Sequence, residues 1–160
     1  PDGGRMNCLG VSATDDCGPL AEAYISWLRD GLRVAQFEGG CELTTPFLDR
    51  HNDHLQIYAE KRNGAIILSD DGYILADLKA SGMEIDTPKR REIFQSTLNG
   101  LGVKLHDDEL RVEASEKTLG AKVHALVQGM LAVNDMYAQR LAQLDIYEGA
   151  LDQRDTDRST

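Results

Sequence analysis

Two groups of residues have the types and spacing to do chemistry. Asp49-Arg50-His51-Asn52-Asp53-His54 sets carboxylates, imidazoles, an amide and a guanidinium side by side. Asp70 and Asp71 follow, and then Asp77-Leu78-Lys79. Clustered carboxylates bind hard divalent cations. An Asp followed one strand later by Asp-x-Lys is a way to hold Mg2+ or Mn2+ in a metal-dependent nuclease: the carboxylates bind the metal and the lysine orients or activates water. On that reading Asp70, Asp71, Asp77 and Lys79 form a phosphodiesterase or nuclease site. A plainer reading competes with it. Asp and Asn side chains bond to nearby backbone and shape turns. Asp49 and Asp53 then hold their loop, Arg50 pairs with a carboxylate, and Asp70-Asp71-Gly72 is a tight turn. The short Asp-x-Lys pattern recurs by chance, so the plainer reading is preferred. No metal or cofactor is assigned, and Asp49 to His54 stand as a binding surface.

Other chemistry is weaker. Gly39-Gly40 lacks the Lys-Ser/Thr ending of a phosphate loop, and no Gly-x-Ser-x-Gly occurs. Cys41 could pair with His51 or His54 as a nucleophile, but a strand cysteine is usually buried and inert. Trp27 falls on an apolar helix face and is read as core; His124 lies beside the apolar row of the last helix and is read as interfacial or core rather than a ligand. The net charge of −10, from 27 acidic and 17 basic residues, weighs against a nucleic-acid binder. The basic Lys89-Arg90-Arg91 is read as a solvated first helical turn. No apolar run approaches the ~20 residues of a membrane span. Cys8, Cys17 and Cys41 are scattered and are read as free thiols in a reducing cytoplasm.

The elements that must position these residues follow from periodicity. Residues 1–17 read as a loose arm, 18–147 as a single domain and 148–160 as a frayed tail. Pro19 opens a helix whose Leu20, Tyr24, Trp27 and Leu28 share a face, and Gly31 ends it. Strands follow at 32–38 and 41–45, where Thr45-Pro46 is expected to break the ladder. Leu55, Ile57 and Ala59 alternate with polar residues, and Asn63-Gly64 turns the chain into Ala65 to Leu68. Tyr73 to Leu78 is predicted to be a third strand. Thr87-Pro88 caps a helix that Asn99-Gly100 stops. A small hairpin turns at Asp107-Asp108. The last helix spans about 115–144, with Gly120 and Gly129 as places for a kink. Its row Val123, Leu126, Met130, Val133, Tyr137 and Leu144 is read as a homodimer seam, because the helix outruns one domain's width. The expected fold is α+β: an antiparallel meander sheet of five or six strands, helices packed on one face, and a long C-terminal helix.

Three segments carry a resemblance. They are Thr45-Pro46-Phe47-Leu48-Asp49-Arg50-His51-Asn52-Asp53 leading into Gln56-Ile57-Tyr58, Leu68-Ser69-Asp70-Asp71-Gly72-Tyr73, and Leu119 to Gln128. Together they resemble a bacterial and phage family catalogued as domain of unknown function 1828. The resemblance supplies no activity, cofactor or catalytic residue. It implies a cytoplasmic protein of phage or mobile-element type. With the acidic charge and no convincing catalytic site, the preferred function is a non-enzymatic protein–protein interaction module with a basic protein as partner. The alternative is the Mg2+- or Mn2+-dependent phosphodiesterase.

Overall fold

The structure, a computed structural model, describes the backbone of residues 17–157 and the side chains of residues 17–139. The arm read at residues 1–17, apart from Cys17, and the side chain of Leu144 lie outside the described residues. The chain divides into two compact units, 1–32 and 33–160.

In the first unit, α1 (Gly18–Gly31) starts with a proline in its first turn, as the sequence predicts. It buries no residue: Leu20, Tyr24 and Trp27 are 60%, 56% and 54% exposed. Trp27 is therefore not core, which corrects the sequence expectation. Apolar spacing defines a face, but α1 is the one described element of this unit and has no second element there to cover that face. Tyr24 and Trp27 stack on each other, ring centroids 6.1 Å apart.

The second unit is one six-stranded antiparallel sheet with strand order β1-β2-β3-β4-β6-β5. The strands are β1 (Arg33–Phe37), β2 (Gly40–Leu48), β3 (His54–Arg62), β4 (Ala65–Ser69), β5 (Lys104–His106) and β6 (Glu109–Ala114). The turn between β3 and β4 has Asn63 and Gly64 both at positive φ, and the turn between β5 and β6 has Asp107 and Asp108 both at positive φ. Two left-handed residues match the strands' own twist, so these turns set register tightly. Pro46 does not end β2. The strand runs through it to Leu48, and the ladder to β3 is broken between Thr44 and Leu48, across the Thr45-Pro46 step where a break was expected.

The largest departure is at Tyr73 to Leu78, which is helix and not strand: α2 (Tyr73–Ala80). Asp70 accounts for it, accepting hydrogen bonds from the N–H groups of Gly72 (3.0 Å) and Ile74 (3.1 Å). A carboxylate on these first orphan donors nucleates a helix. Ile74, Leu75 and Leu78 then fall on one buried side. Helix α3 (Pro88–Leu101) is capped by Thr87, whose Oγ1 accepts from the Arg90 N–H at 3.2 Å. It runs past Asn99-Gly100. Both α2 and α3 end in the same motif, with Gly82 (φ 74°) and Gly102 (φ 68°) left-handed. Met83 N–H reaches the Leu78 carbonyl, and Val103 N–H the Leu98 carbonyl, at 2.9 and 3.0 Å. A residue with a Cβ would be strained at either glycine.

The last helix, α4 (Leu119–Asp157), is continuous through Gly120 and Gly129 and through most of the segment read as a frayed tail. Its many Ala, Leu, Gln, Glu and Arg residues are good helix formers. At Gly129 the missing side chain makes room for Val103, whose Cγ2 would lie 3.0 Å from an added Cβ. Close packing against Val103 explains that glycine.

Helices α2, α3 and α4 cover one face of the sheet. Leu55, Ile57, Leu68, Leu110 and Val112 point into it and meet Leu78, Leu98, Leu126, Met130 and Val133. Burying each such side chain contributes about 1.5–3 kcal/mol. The opposite face carries Glu42, Gln56, Tyr58, Glu60 and Arg111.

Candidate functional site

The loop between β2 and β3 is built around Asp49. This nearly buried carboxylate accepts from the N–H groups of His51 (2.8 Å) and Asp53 (3.0 Å) through one oxygen. Its other oxygen accepts from the Tyr73 hydroxyl at 2.7 Å. Asn52 takes the left-handed conformation that the tight loop requires. Burial alone would push the Asp49 carboxyl up. The hydrogen bonds from Tyr73, Asp53 and His51, with the nearby His51 ring, outweigh it and hold the carboxyl below its ordinary 3.8. The same bond to Asp49, then burial, pushes the Tyr73 phenol far above its ordinary 10.0.

These shifts set the sign of a pH dependence. A lowered carboxyl contributes stability that is present above pH 3.8 and lost as pH falls below it. A raised phenol contributes stability that is present below pH 10.0 and lost as pH rises above it. Tyr73→Phe is expected to cost about 1.5–3 kcal/mol at neutral pH, since the bond is charge-assisted. It should also flatten both limbs of the stability profile, as read by urea unfolding across pH.

Arg50 ties the loop to two helices. Its backbone N–H donates to Oδ1 of the buried Asn134 on α4 at 2.9 Å. Its guanidinium lies 4.0 Å over the ring of Tyr137, also on α4. Nε and Nη2 reach Asp77 Oδ2 on α2 at 3.0 and 2.8 Å, and Nη2 also contacts the Ser81 hydroxyl. His51 Nε2 donates to the other Asp77 oxygen at 2.9 Å. The sequence reading that Arg50 pairs with a carboxylate holds, and the carboxylate is Asp77. Asn52, Asp53 and His54 remain exposed. His54 Nδ1 donates to the Thr45 carbonyl at 2.8 Å.

The residues of the phosphodiesterase alternative are placed apart. Asp70 is fully buried, and its oxygens serve the N–H groups of Gly72, Ile74 and Leu110. Burial pushes this carboxyl up against the opposing pull of those three bonds, and the Glu109 charge adds to the rise. Asp71 points to solvent. Asp77 and Lys79 share a helix and not a strand, so two positions turn them about 200° apart. Lys79 pairs with Asp108 at 2.6 Å. Among the described residues, no three His, Cys, Asp or Glu side chains converge as metal ligands.

What the fold does bring together is a cleft of about 510 Å³ between the loop and the start of α2. Asp53, His54, Gln56, Tyr58, Asp70, Asp71 and Tyr73 line it, with no Lys or Arg. Beside it, Gln56 Nε2 donates to Glu42 at 2.9 Å. Tyr58 senses this environment: burial, then the charges of Glu42 and Asp71, push its phenol up. Gln56, Tyr58, Tyr73 and Glu42 were not singled out from the sequence. For Gln56 and Tyr58 a signal existed, because both sit on the polar phase of the β3 alternation and must face away from the core.

The row read as a dimer seam lies largely inside the chain. Leu126, Met130 and Val133 are buried in its own core, and Val123 and Tyr137 are half-buried against that core. Among the described residues, no helix is long and apolar enough to cross a membrane.

Fold and site together define an α+β domain with one sheet face covered by helices and a cleft lined by carboxylates and phenols on the other. The chain belongs to the family described as Domain of unknown function DUF1828, whose model matches residues 45–133. That range takes in the loop, the cleft and both capped helices, and leaves out β1. No curated protein and no solved structure matches the chain.

Proposed function

We propose that this protein, of phage or mobile-element type, is an acidic interaction module that acts in the cytoplasm and docks a basic partner protein. The observation that carries the reading is the cleft beside the Asp49 loop, lined by Asp53, Asp71, Tyr58 and Tyr73 and by no Lys or Arg. Carboxylates beside phenol rings suit an arginine or lysine side chain, through charge-assisted hydrogen bonds and cation–π contact. The loop that forms one wall is pre-organised by Asp49 and Arg50, so little ordering cost is left for binding. The net charge of −10 would speed encounter with a basic partner and make it salt-sensitive.

The test is fluorescence anisotropy with a labelled arginine-rich peptide. Binding is expected at low ionic strength and should weaken steadily as salt rises. Asp53→Lys with Asp71→Lys should weaken it by roughly tenfold or more, the scale of one lost charge pair. Reversing Glu84 and Glu92, exposed acids away from the cleft, is the control. The reading fails if no binding occurs, or if the control pair weakens it as much as the cleft pair.

A further inference from the structure

We infer that β1 is a dimer edge. Two copies of this chain pair their β1 strands antiparallel about a two-fold axis at Ala35, fusing two six-stranded sheets into one.

The sheet has two edges of unequal character. β5 is three residues long, carries Lys104 and His106, and lies against α3. These are the usual means of guarding an edge from pairing. Among the described residues β1 has no such guard beyond the charge of Arg33. All five of its residues are exposed, its ladder to β2 is unbroken over five pairs, and Arg33 is its one charge. It contains no proline and no bulge, and Val34 and Phe37 are 68% and 41% exposed.

The register of the β1–β2 hairpin says which backbone groups are free. Phe37 and Gly40 close a two-residue turn, so they form a hydrogen-bonded pair. Alternation then turns the N–H and C=O groups of Arg33, Ala35 and Phe37 toward β2, and those of Val34 and Gln36 outward. No partner for these outward groups exists among the described residues.

This pattern is self-complementary. About an axis at Ala35, Val34 of each copy faces Gln36 of the other, and outward groups meet outward groups in two hydrogen-bonded pairs. Arg33 faces Phe37 of the partner subunit, a cation opposite a ring, and never meets a second Arg33. Both copies present the same face on the same side, because directly opposed residues share a face. The fused sheet therefore carries both acidic clefts on one surface. The dimer itself does not rest on what the clefts bind.

Light scattering on the full chain tests it. The expected mass is twice the 17.6 kDa of one chain. Val34→Glu with Gln36→Glu sets like charges opposite each other and should give monomers with an unchanged circular dichroism spectrum. Val34→Glu with Gln36→Lys sets opposite charges face to face and should restore the dimer. A monomeric parent chain overturns the inference, and so does a swapped pair that fails to restore the dimer. A dimer that ignores both variants but dissociates with Leu144→Glu overturns it too, and assigns self-association to the last helix.

Discussion

Asp70→Ala is expected to lower the unfolding free energy by on the order of 4 kcal/mol, measured by urea or thermal unfolding. Asp70 is fully buried, and its carboxylate serves three N–H groups, with Leu110 at 2.8 Å the shortest bond. A hydrogen bond to a charged group contributes about 1.5–3 kcal/mol, and a buried donor left unpaired costs a comparable amount. Some of the lost acceptors can be replaced by water at the first turn of α2, which keeps the total below a simple sum. Asp70→Asn is the discriminating partner variant. Its oxygen can still serve Gly72 and Leu110, which share Oδ1, while its amide confronts the Ile74 N–H. It should cost about half as much. The carboxyl is pushed up by burial, so the parent chain should lose stability as pH rises from 3.8 through the raised value. That slope should vanish in Asp70→Asn. Equal losses for Ala and Asn would mean that the hydrogen bonds are not what Asp70 contributes.

Asp77→Ala carries the second large effect, a loss of about 2–3 kcal/mol. Breaking a buried ion pair from one side costs roughly 3–5 kcal/mol, because the remaining charge is stranded. Arg50 and Asp77 are 17% and 15% exposed, so solvent screening reduces that figure. The stranded guanidinium keeps only the Tyr137 ring, the Ser81 hydroxyl and a backbone carbonyl. A double-mutant cycle with Arg50→Met should show coupling of about 1–2 kcal/mol, as expected for contacting residues. Neither residue lines the cleft, yet Asp77→Ala frees the Arg50 and His51 anchors of the loop. Peptide affinity should therefore fall along with stability. An additive cycle would sink the clamp.

How far the sequence foretold this can be read element by element. The β3–β4 hairpin was legible because its signals are local: Asn63-Gly64 sits between alternating residues. The Thr87 cap and the Asp107-Asp108 turn are equally local. The helix at Tyr73 was missed because Asp70-Asp71-Gly72 is a tight turn as well as a helix start. What separates a following strand from a following helix is the direction of one carboxylate. Ile74, Leu75 and Leu78, with Ala76 and Lys79 as good helix formers, were the available signal. The Asp49 loop was foreseen as self-bonded. That Arg50 would choose Asp77, 27 residues away, was not, because nothing local pairs them. The cleft was half legible: Asp53, His54 and Asp71 stood out by type, whereas Tyr58 and Tyr73 needed the sheet to be folded. Trp27 shows the limit of an amphipathic pattern, which predicts an apolar face without supplying a cover.

The insertion of α2, α3 and β5 between β4 and β6 has a kinetic meaning. The hairpins on the β1 side join neighbours in sequence and cost little chain entropy to close. The β4–β6 ladder joins Ser69 to Arg111, so it must enclose the whole intervening segment before any of its bonds form. The Asp70 carboxylate grips Leu110 at the neck of that enclosure, one residue beyond the ladder's end. Among the sheet's ladders this one therefore carries the largest chain-entropy cost of closure, and the Asp70–Leu110 bonds hold its neck shut.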